Sequence, residues 1–324
     1  TSNEPNLFNE FDYNLNELEY NEFLAKRNNS QALLKLGDFY YNGKIVNQDY
    51  NKALKYYQLA AKYNHYKAFY KLGQIYFEGK GVKHDYLKAK KFFEIAASRN
   101  DSNSCFLLGV IYFYGYGVEI NYTLAKKYFD DSSTNSNSLY YLGIIYIRGL
   151  NVEKDLTKAI KYFELSAKKK NPDAFYSLGI MYFKGIGFEK DLETSIAFFE
   201  FAAKKKHSDA MNQLGIIYLF GIGTDKDFSK ALNYFTLAAK EQSASATYNL
   251  GLIYYDGYGV AKDILRAKYY FELASQLKIS DSFIRLGDIF FNESSNIKQD
   301  YTKAIHYYEL SAKFHNQFAF LKLG

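Results

Sequence analysis

Several features that would indicate particular classes of protein are missing from this sequence of 324 residues. It contains no tryptophan, two prolines and one cysteine. The single cysteine, Cys105, excludes a disulfide framework, a cysteine zinc site and an iron–sulfur cluster within the chain. So few prolines favour long, uninterrupted helices. No run approaches the roughly 18 apolar residues that span a bilayer, so we expect no transmembrane segment.

Sequence motifs for catalysis and cofactor binding are also missing. There is no P-loop, no H-E-x-x-H, no G-x-S-x-G and no dinucleotide fingerprint. The five histidines are scattered without ligand spacing. The net charge of +6 is mild and spread along the chain, so it does not indicate nucleic acid. We therefore expect no catalytic residue, no metal and no cofactor.

An internal repeat is the dominant feature of the sequence. The dipeptide Leu-Gly recurs nine times at intervals of 34 to 37 residues. A fixed period of this length is typical of solenoids built from small structural units. The glycines of these dipeptides are Gly37, Gly73, Gly109, Gly143, Gly179, Gly215, Gly251, Gly287 and Gly324.

Each repeat has the apolar spacing of two amphipathic helices. In the second copy the first helix has apolar residues at i, i+4, i+7 and i+8, namely Ala68, Leu72, Ile75 and Tyr76. The second helix has them at i, i+3, i+4, i+7 and i+8, namely Ala89, Phe92, Phe93, Ala96 and Ala97. The repeat therefore predicts a helix pair.

Glycine loops and polar caps mark the ends of these helices. A loop such as Gly79-Lys80-Gly81 follows the first helix, where a left-handed residue commonly ends a helix. A residue able to cap the second helix follows that loop in each copy. The Leu-Gly glycine itself lies within the first helix, which implies that a neighbouring backbone approaches too closely for a Cβ. The predicted caps are Asp49, Asp85, Asn121, Asp155, Asp191, Asp227, Asp263 and Asp300.

The repeated pattern A-x3-L-G-x2-Y-x2-G-x-G-V-x2-D-x2-K-A-x2-Y-[FY]-x2-A-A resembles the Sel-1-like repeat, a branch of the tetratricopeptide-like α/α solenoids. The resemblance covers residues 32–324 and implies an all-α, right-handed superhelical solenoid of about eight and a half two-helix repeats. We expect 17 or 18 helices and almost no β-strand. Residues 1–31 are predicted to be an N-terminal capping segment with a half-repeat. The repeats start near residues 32, 68, 104, 138, 174, 210, 246, 282 and 319.

The resemblance implies a non-catalytic scaffold or adaptor for protein–protein interaction, and not an enzyme. The alternatives are an RNA-binding helical-repeat protein and a regulatory subunit of an enzyme complex. The expected partner is a protein or peptide rather than a nucleic acid, because aliphatic and aromatic residues occupy the positions with which such arrays recognise bases. Members of the family work in the cytosol, the periplasm and the secretory lumen. With one cysteine, we expect a cytoplasmic location, the other two compartments being alternatives.

Tetratricopeptide-type repeats hold ligands through side chains of the first helix that face a concave groove. Carrying that position over predicts a peptide or helix site in the central repeats, with Arg148, Lys184 and Asp256 at its rim. The alternative is that these residues are ordinary core. Replacing Tyr140 and Tyr176 by alanine is expected to weaken binding while the fold survives. The predicted residues are Tyr70, Phe77, Phe106, Val110, Phe113, Tyr140, Ile144, Ile147, Tyr176, Ile180, Phe183, Ile216, Leu219, Tyr248, Leu252 and Tyr255.

The last repeat stops within its first helix. Terminal repeats of solenoids normally carry a polar outer face, whereas this one carries Phe318, Ala319, Phe320 and Leu323. We therefore expect that further chain or another molecule covers these residues, with self-association through the C-terminal edge as one form of that contact.

Overall fold

Helices joined by short loops make up the part of the chain that the structure describes. The structure is a computed structural model that describes residues 7–292 and 297–323, with side chains from residue 16 onward. These residues form 18 helices and no β-strand, as the repeat pattern predicted. Their contacts separate them into two compact units, Thr1–Tyr162 and Phe163–Gly324, with the division falling inside α9.

Each repeat contributes one first helix, with an even number, and one second helix, with an odd number. The helix α1 precedes the first repeat, and α18 begins the ninth. The helices are α1 Leu7–Ala25, α2 Ser30–Asn42, α3 Tyr50–Lys62, α4 Tyr66–Glu78, α5 Tyr86–Ala97, α6 Ser102–Tyr114, α7 Tyr122–Asp131, α8 Ser136–Arg148, α9 Leu156–Lys168, α10 Pro172–Lys184, α11 Leu192–Lys204, α12 Ser208–Phe220, α13 Phe228–Lys240, α14 Ala244–Asp256, α15 Ile264–Gln276, α16 Ser280–Phe291, α17 Tyr301–Lys313 and α18 Gln317–Leu323.

The predicted caps begin the second helices. In α11, for example, Asp191 accepts a hydrogen bond from the Thr194 backbone N–H at 3.0 Å, and all eight predicted residues make the equivalent bond. Such a bond satisfies an N–H group that the first turn of a helix leaves free. Sequence reasoning missed a second set of caps, which begins first helices and includes Asn29, Asp101, Asn171, His207 and Ser243.

The glycine loops have the left-handed conformation that their sequence predicts. The glycine that ends each first helix from α2 to α14 has φ between +66° and +79°, a region that side chains with a Cβ rarely adopt. In the fourth copy Asn151 stands in place of the second loop glycine. Its φ is +53°, which asparagine tolerates better than most residues because its side chain can bond locally.

The Leu-Gly glycine contacts an aromatic ring, and the expectation that a neighbouring backbone approaches it was wrong. A Cβ built on Gly179 would lie 2.7 Å from Cδ1 of Phe199, in the following second helix. The same contact joins six of the other eight glycines to a tyrosine or phenylalanine ring, and Gly324 lies outside the described residues. The glycine is thus a flat site on which a large ring packs. These pairs are Gly37–Tyr57, Gly73–Phe93, Gly109–Phe129, Gly215–Phe235, Gly251–Phe271 and Gly287–Tyr308.

The same rings join successive repeats within each unit. In the first unit the fully buried ring of Tyr57 belongs to one cluster with Leu72 and Ile75 of the next first helix. In the second unit Phe199 packs in one cluster with Leu214 and Ile217 in the same way. The second helices α3 and α11 therefore bury their rings between two first helices, so these repeats have no complete core of their own.

Candidate functional site

The predicted site residues lie on the first helices, in two sets of eight, one set in each unit. We call their positions the first-helix face. Three of them, Val110, Phe113 and Leu219, are less than 10% exposed and belong to the core. The other thirteen are partly buried, and none is fully exposed. The partly buried residues are Tyr70, Phe77, Phe106, Tyr140, Ile144 and Ile147 in the first unit, and Tyr176, Ile180, Phe183, Ile216, Tyr248, Leu252 and Tyr255 in the second.

Many of these first-helix residues are partly buried because they lie beside a ring of the core. The residues three before and four after a Leu-Gly glycine flank the ring that packs on that glycine. In the second repeat, the ring centroids of Tyr70 and Phe77 both lie 6.2 Å from that of Phe93. In the seventh, Tyr248 and Tyr255 flank Phe271 at 5.6 and 6.1 Å. A partly buried flanking residue therefore supports the core with one side and faces solvent with the other, whereas Phe113 and Leu219 are buried altogether.

This geometry bears on the expectation that the Tyr140→Ala, Tyr176→Ala variant leaves the fold intact, which stays a prediction. The Tyr176 ring lies 5.8 Å from that of Phe199 and stacks on His207 at 4.7 Å. Burial, then the nearby Asp209, raises the pKa of Tyr176. Loss of this ring removes core contacts as well as surface, so a binding defect in that variant would not distinguish a groove from a weakened fold.

A polar cluster occupies the first-helix face at the first two repeats of the first unit. The Tyr57 hydroxyl donates a hydrogen bond to Asp38 Oδ1 at 2.7 Å, and Lys71 pairs with the same oxygen at 2.9 Å. Burial, followed by the Asp38 charge, raises the pKa of Tyr57. The carboxylate thus accepts from a phenol that stays protonated and from an ammonium group of the next repeat.

A second part of this cluster centres on Glu78. Its carboxylate accepts hydrogen bonds from Tyr41 and Gln74, each at 2.7 Å, and pairs with Lys80 at 2.7 Å. Burial raises the pKa of Tyr41 to about 12. Burial also acts to raise the pKa of Glu78, but the bonds from Lys80, Tyr41 and Gln74 lower it overall. Nearly every charge in this cluster is paired, so it provides positioned polar groups and no free acid or base.

The last repeats of the second unit carry a related arrangement beside a pocket. The Tyr308 hydroxyl donates to Asp288 Oδ1 at 2.8 Å, and Lys322 pairs with that oxygen at 2.9 Å. The guanidinium of Arg285 lies 5.7 Å from the Tyr255 ring centroid, within the range of a cation–π contact. The pocket has a volume of about 410 Å³, and its lining consists of Tyr248, Asp281, Ile284, Arg285, Asp288, Phe318 and Lys322.

The described residues offer no evident centre for chemistry. No group of three or more histidine, cysteine, aspartate or glutamate side chains in them is arranged to hold a metal ion. Cys105 is buried, and burial raises the pKa of its thiol, with Asp131 and Asp101 adding to the effect. A protonated, buried thiol is a poor nucleophile. Among the described helices, none combines the length and the apolar character required to cross a bilayer.

The C-terminal edge is apolar and largely open in the described residues. Phe318, Phe320 and Leu323 are exposed, whereas Ala319 is fully buried. The prediction that Ala319 awaits a covering molecule was therefore wrong, because α18 already packs this small residue inward. That further chain or another molecule covers Phe318, Phe320 and Leu323 stays a prediction.

The periodic glycines, rings and caps agree with a family model, that of the Sel1 repeat. It matches residues 30–65, 67–101, 102–130, 136–171, 172–207, 208–243, 244–278 and 284–313. The chain belongs to the Sel1 repeat family. Its fold is the all-α repeat solenoid of that family, which is typically a non-catalytic scaffold that binds protein partners. None of the curated proteins compared with the chain matches it significantly.

Solved structures show the same fold. A protective antigen present in uropathogenic Escherichia coli strains, which displays an SLR fold, is 26% identical over 94% of this chain, with a TM-score of 0.74. The present chain spans 66% of the length of that antigen. A Sel1 repeat protein from Oxalobacter formigenes is 23% identical, with 100% of this chain and 94% of that one covered and a TM-score of 0.69.

Two features of the face were missed by sequence reasoning. Tyr141 was not among the predicted residues, yet its ring stacks on Phe129 at 5.0 Å and meets Phe113 at 5.1 Å. The Tyr57–Asp38 and Tyr308–Asp288 pairs were missed as well. A signal for these pairs was present, because tyrosine replaces phenylalanine at the buried ring position in the two repeats where aspartate follows Leu-Gly.

Proposed function

We propose that this Sel1 repeat protein is an interaction scaffold that binds a peptide or an amphipathic helix of a partner protein along its first-helix face. The partial exposure of thirteen apolar and aromatic side chains on that face carries the proposal. Side chains that are held by the core on one side lose little conformational entropy when a partner covers the other side. Aromatic anchors of this kind dominate the affinity of many protein interfaces.

In each unit, charged groups beside the apolar first-helix positions would orient a partner segment bound to that unit. Asp38 with Lys71 in the first unit, and Asp288 with Lys322 in the second, hold paired charges next to apolar positions. Charges of this kind contribute more to orientation and to the rate of association than to affinity. A partner segment with apolar residues at helical spacing and a few polar groups fits this description.

The test uses matched isoleucines within the second unit. Ile216 lies on the first-helix face in α12, whereas Ile305 is half exposed on the second helix α17. Partners are captured with the full chain from the native source and identified by mass spectrometry. The dissociation constant of the identified partner is then measured by calorimetry for the wild type, Ile216→Ser and Ile305→Ser. We expect Ile216→Ser to weaken binding about fivefold or more, equivalent to about 1 kcal/mol.

The control variant determines how the result is interpreted. Ile305→Ser should bind as the wild type does, and both variants should keep the wild-type circular dichroism spectrum at the temperature of the binding measurement, although Ile216→Ser is expected to melt at a lower temperature because Ile216 packs against the core. If Ile216→Ser keeps full affinity while Ile305→Ser loses it, the partner binds the second helices and the proposal is wrong.

A further inference from the structure

Successive repeats share a second contact, built from one lysine, one acid and one ring. In the second repeat, Lys90 pairs with Glu94 one turn later at 3.1 Å. Its ammonium group also lies 5.7 Å from the ring centroid of Tyr112, which belongs to the next first helix. A cation between a carboxylate and the face of an aromatic ring is favourably placed towards both.

Two other repeats make the same contact. Lys126 pairs with Asp130 at 2.7 Å and lies 5.9 Å from the Tyr146 ring, both in the first unit. In the second unit, Lys268 pairs with Glu272 at 2.7 Å and lies 5.9 Å from the ring of Phe290. Three of the eight full repeats, the second, third and seventh, therefore share this arrangement.

The fifth repeat keeps the acid and the ring but lacks the lysine. Ile196 occupies the lysine position, and Glu200 follows it by four residues. No ion pair or hydrogen bond joins the Glu200 carboxylate to any described residue. The ring in the next repeat is Tyr218, which stacks on Tyr234 at 5.8 Å with an interplanar angle of 6°. The Glu200 charge acts on this pair, since it adds to the effect of burial in raising the pKa of Tyr234.

A pocket of about 510 Å³ lies beside these groups in the second unit. It is bounded by α11, α12 and α13, and none of its lining residues belongs to the first-helix face. Both apolar and polar side chains line it. Its lining consists of Glu200, Ala203, Lys204, Met211, Tyr218, Lys230, Asn233, Tyr234 and Leu237.

We propose that this pocket binds a primary alkylammonium group, which takes the place that a lysine of the chain holds in the equivalent contacts. Glu200 would accept hydrogen bonds from the ammonium group, the Tyr218 ring would lie against its charge, and Met211 and Leu237 would contact its alkyl chain. The group belongs either to a free amine or to a lysine side chain of a protein partner.

The two lysines already in the lining do not fill this role. Lys230 pairs with Asp227, the cap of its own helix, at 3.6 Å and lies 4.8 Å from the Tyr218 ring. Lys204 is exposed and lies 5.4 Å from the Phe201 ring. A ring can accept two cations here, because Tyr146 and Phe290 each have the lysine of the preceding repeat and a second lysine from their own repeat within 6 Å.

The test measures binding of n-butylammonium to the full chain by NMR chemical-shift titration. We expect saturable shifts in residues around Glu200, a loss of affinity of at least fivefold in Glu200→Gln, and a similar loss in Ile196→Lys, which supplies the ammonium group from the chain itself. The matched control is Glu272→Gln, because that glutamate is already paired with Lys268. This control should bind as the wild type does.

Further ligands identify the chemistry and its source. The uncharged n-butanol and the anion n-butyrate should bind at least fivefold more weakly than n-butylammonium. A short acetylated peptide containing one lysine that binds at least tenfold more tightly than n-butylammonium indicates a protein partner, and equal binding indicates a free amine. Equal n-butylammonium binding by the wild type and Glu200→Gln, or preferred binding of n-butyrate through Lys204 and Lys230, would overturn the proposal. The outcome is independent of the first-helix face, which shares no residue with the pocket.

Discussion

The aromatic ring that packs on the Leu-Gly glycine differs between the two outermost full repeats and the repeats that lie between them. In the first and eighth repeats the ring on the Leu-Gly glycine is a tyrosine, Tyr57 or Tyr308, and its hydroxyl donates to an aspartate that follows the glycine. In the repeats between them the ring is a phenylalanine, such as Phe235, and an aliphatic residue or glutamine takes the aspartate position. The ring and the residue after the glycine therefore change together.

This difference follows from the cost of burying a hydroxyl group. A buried hydroxyl without a partner costs about 1–3 kcal/mol, so tyrosine is tolerated where an aspartate accepts a hydrogen bond from its hydroxyl. Phenylalanine has no such requirement and leaves the neighbouring position free for an apolar side chain. A tyrosine ring thus goes with an acid after the glycine, whereas a phenylalanine ring is found with either an aliphatic residue or glutamine there.

The largest effect is expected where the glycine itself is changed. In Gly215→Ala the new Cβ would lie 2.5 Å from Cε1 of Phe235, a fully buried ring that cannot move aside freely. Overpacking of a core typically costs about 1–3 kcal/mol or more, against a gain of about 1 kcal/mol from helix propensity. We expect a net loss of about 2 kcal/mol in urea-induced unfolding. Adding Phe235→Leu should recover part of it, and an unchanged stability of Gly215→Ala would contradict the ring contact.

A smaller effect on the free energy of unfolding is expected when a central repeat receives the tyrosine ring of the outer repeats. Phe235→Tyr places a hydroxyl towards Ile216, which cannot accept a hydrogen bond, and should cost about 1–2 kcal/mol in unfolding. Ile216→Asp in the same chain recreates the Tyr57–Asp38 pair and should restore part of this loss. The measurement is a double-mutant cycle by urea denaturation. A coupling energy of zero would show that ring and acceptor are chosen independently.

The smallest effect concerns the caps, which the outer and central repeats share. The hydroxyl and backbone N–H of Thr194 donate to Asp191 and lower the pKa of its carboxyl. A carboxyl with a lowered folded-state pKa stabilises the fold above its unfolded value of about 3.9, and this stabilisation is lost as pH falls through the folded value. The wild type should therefore lose slightly more stability than Asp191→Asn between pH 5 and pH 2. Parallel pH profiles of melting temperature would contradict this expectation.

The helices and their ends were predictable because they depend on neighbours in the chain. A helical stripe, a left-handed glycine and a cap such as Asp191 each act within a few residues, so the spacing of residue types is sufficient to predict them. The partner of the Leu-Gly glycine was predicted wrongly for the opposite reason. It is a ring some twenty residues away, and its position depends on how two helices pack.

The same division applies to the candidate sites. The repeat pattern determined which positions lie on the first helices, and it identified the sixteen residues of that face. Only the tertiary structure decided that Val110 and Phe113 are buried while Tyr70 keeps an exposed side, because exposure depends on what the next repeat covers. The pocket beside Glu200 also required the tertiary structure, since the acid and the ring of Tyr218 come from different repeats and meet only when those repeats stack.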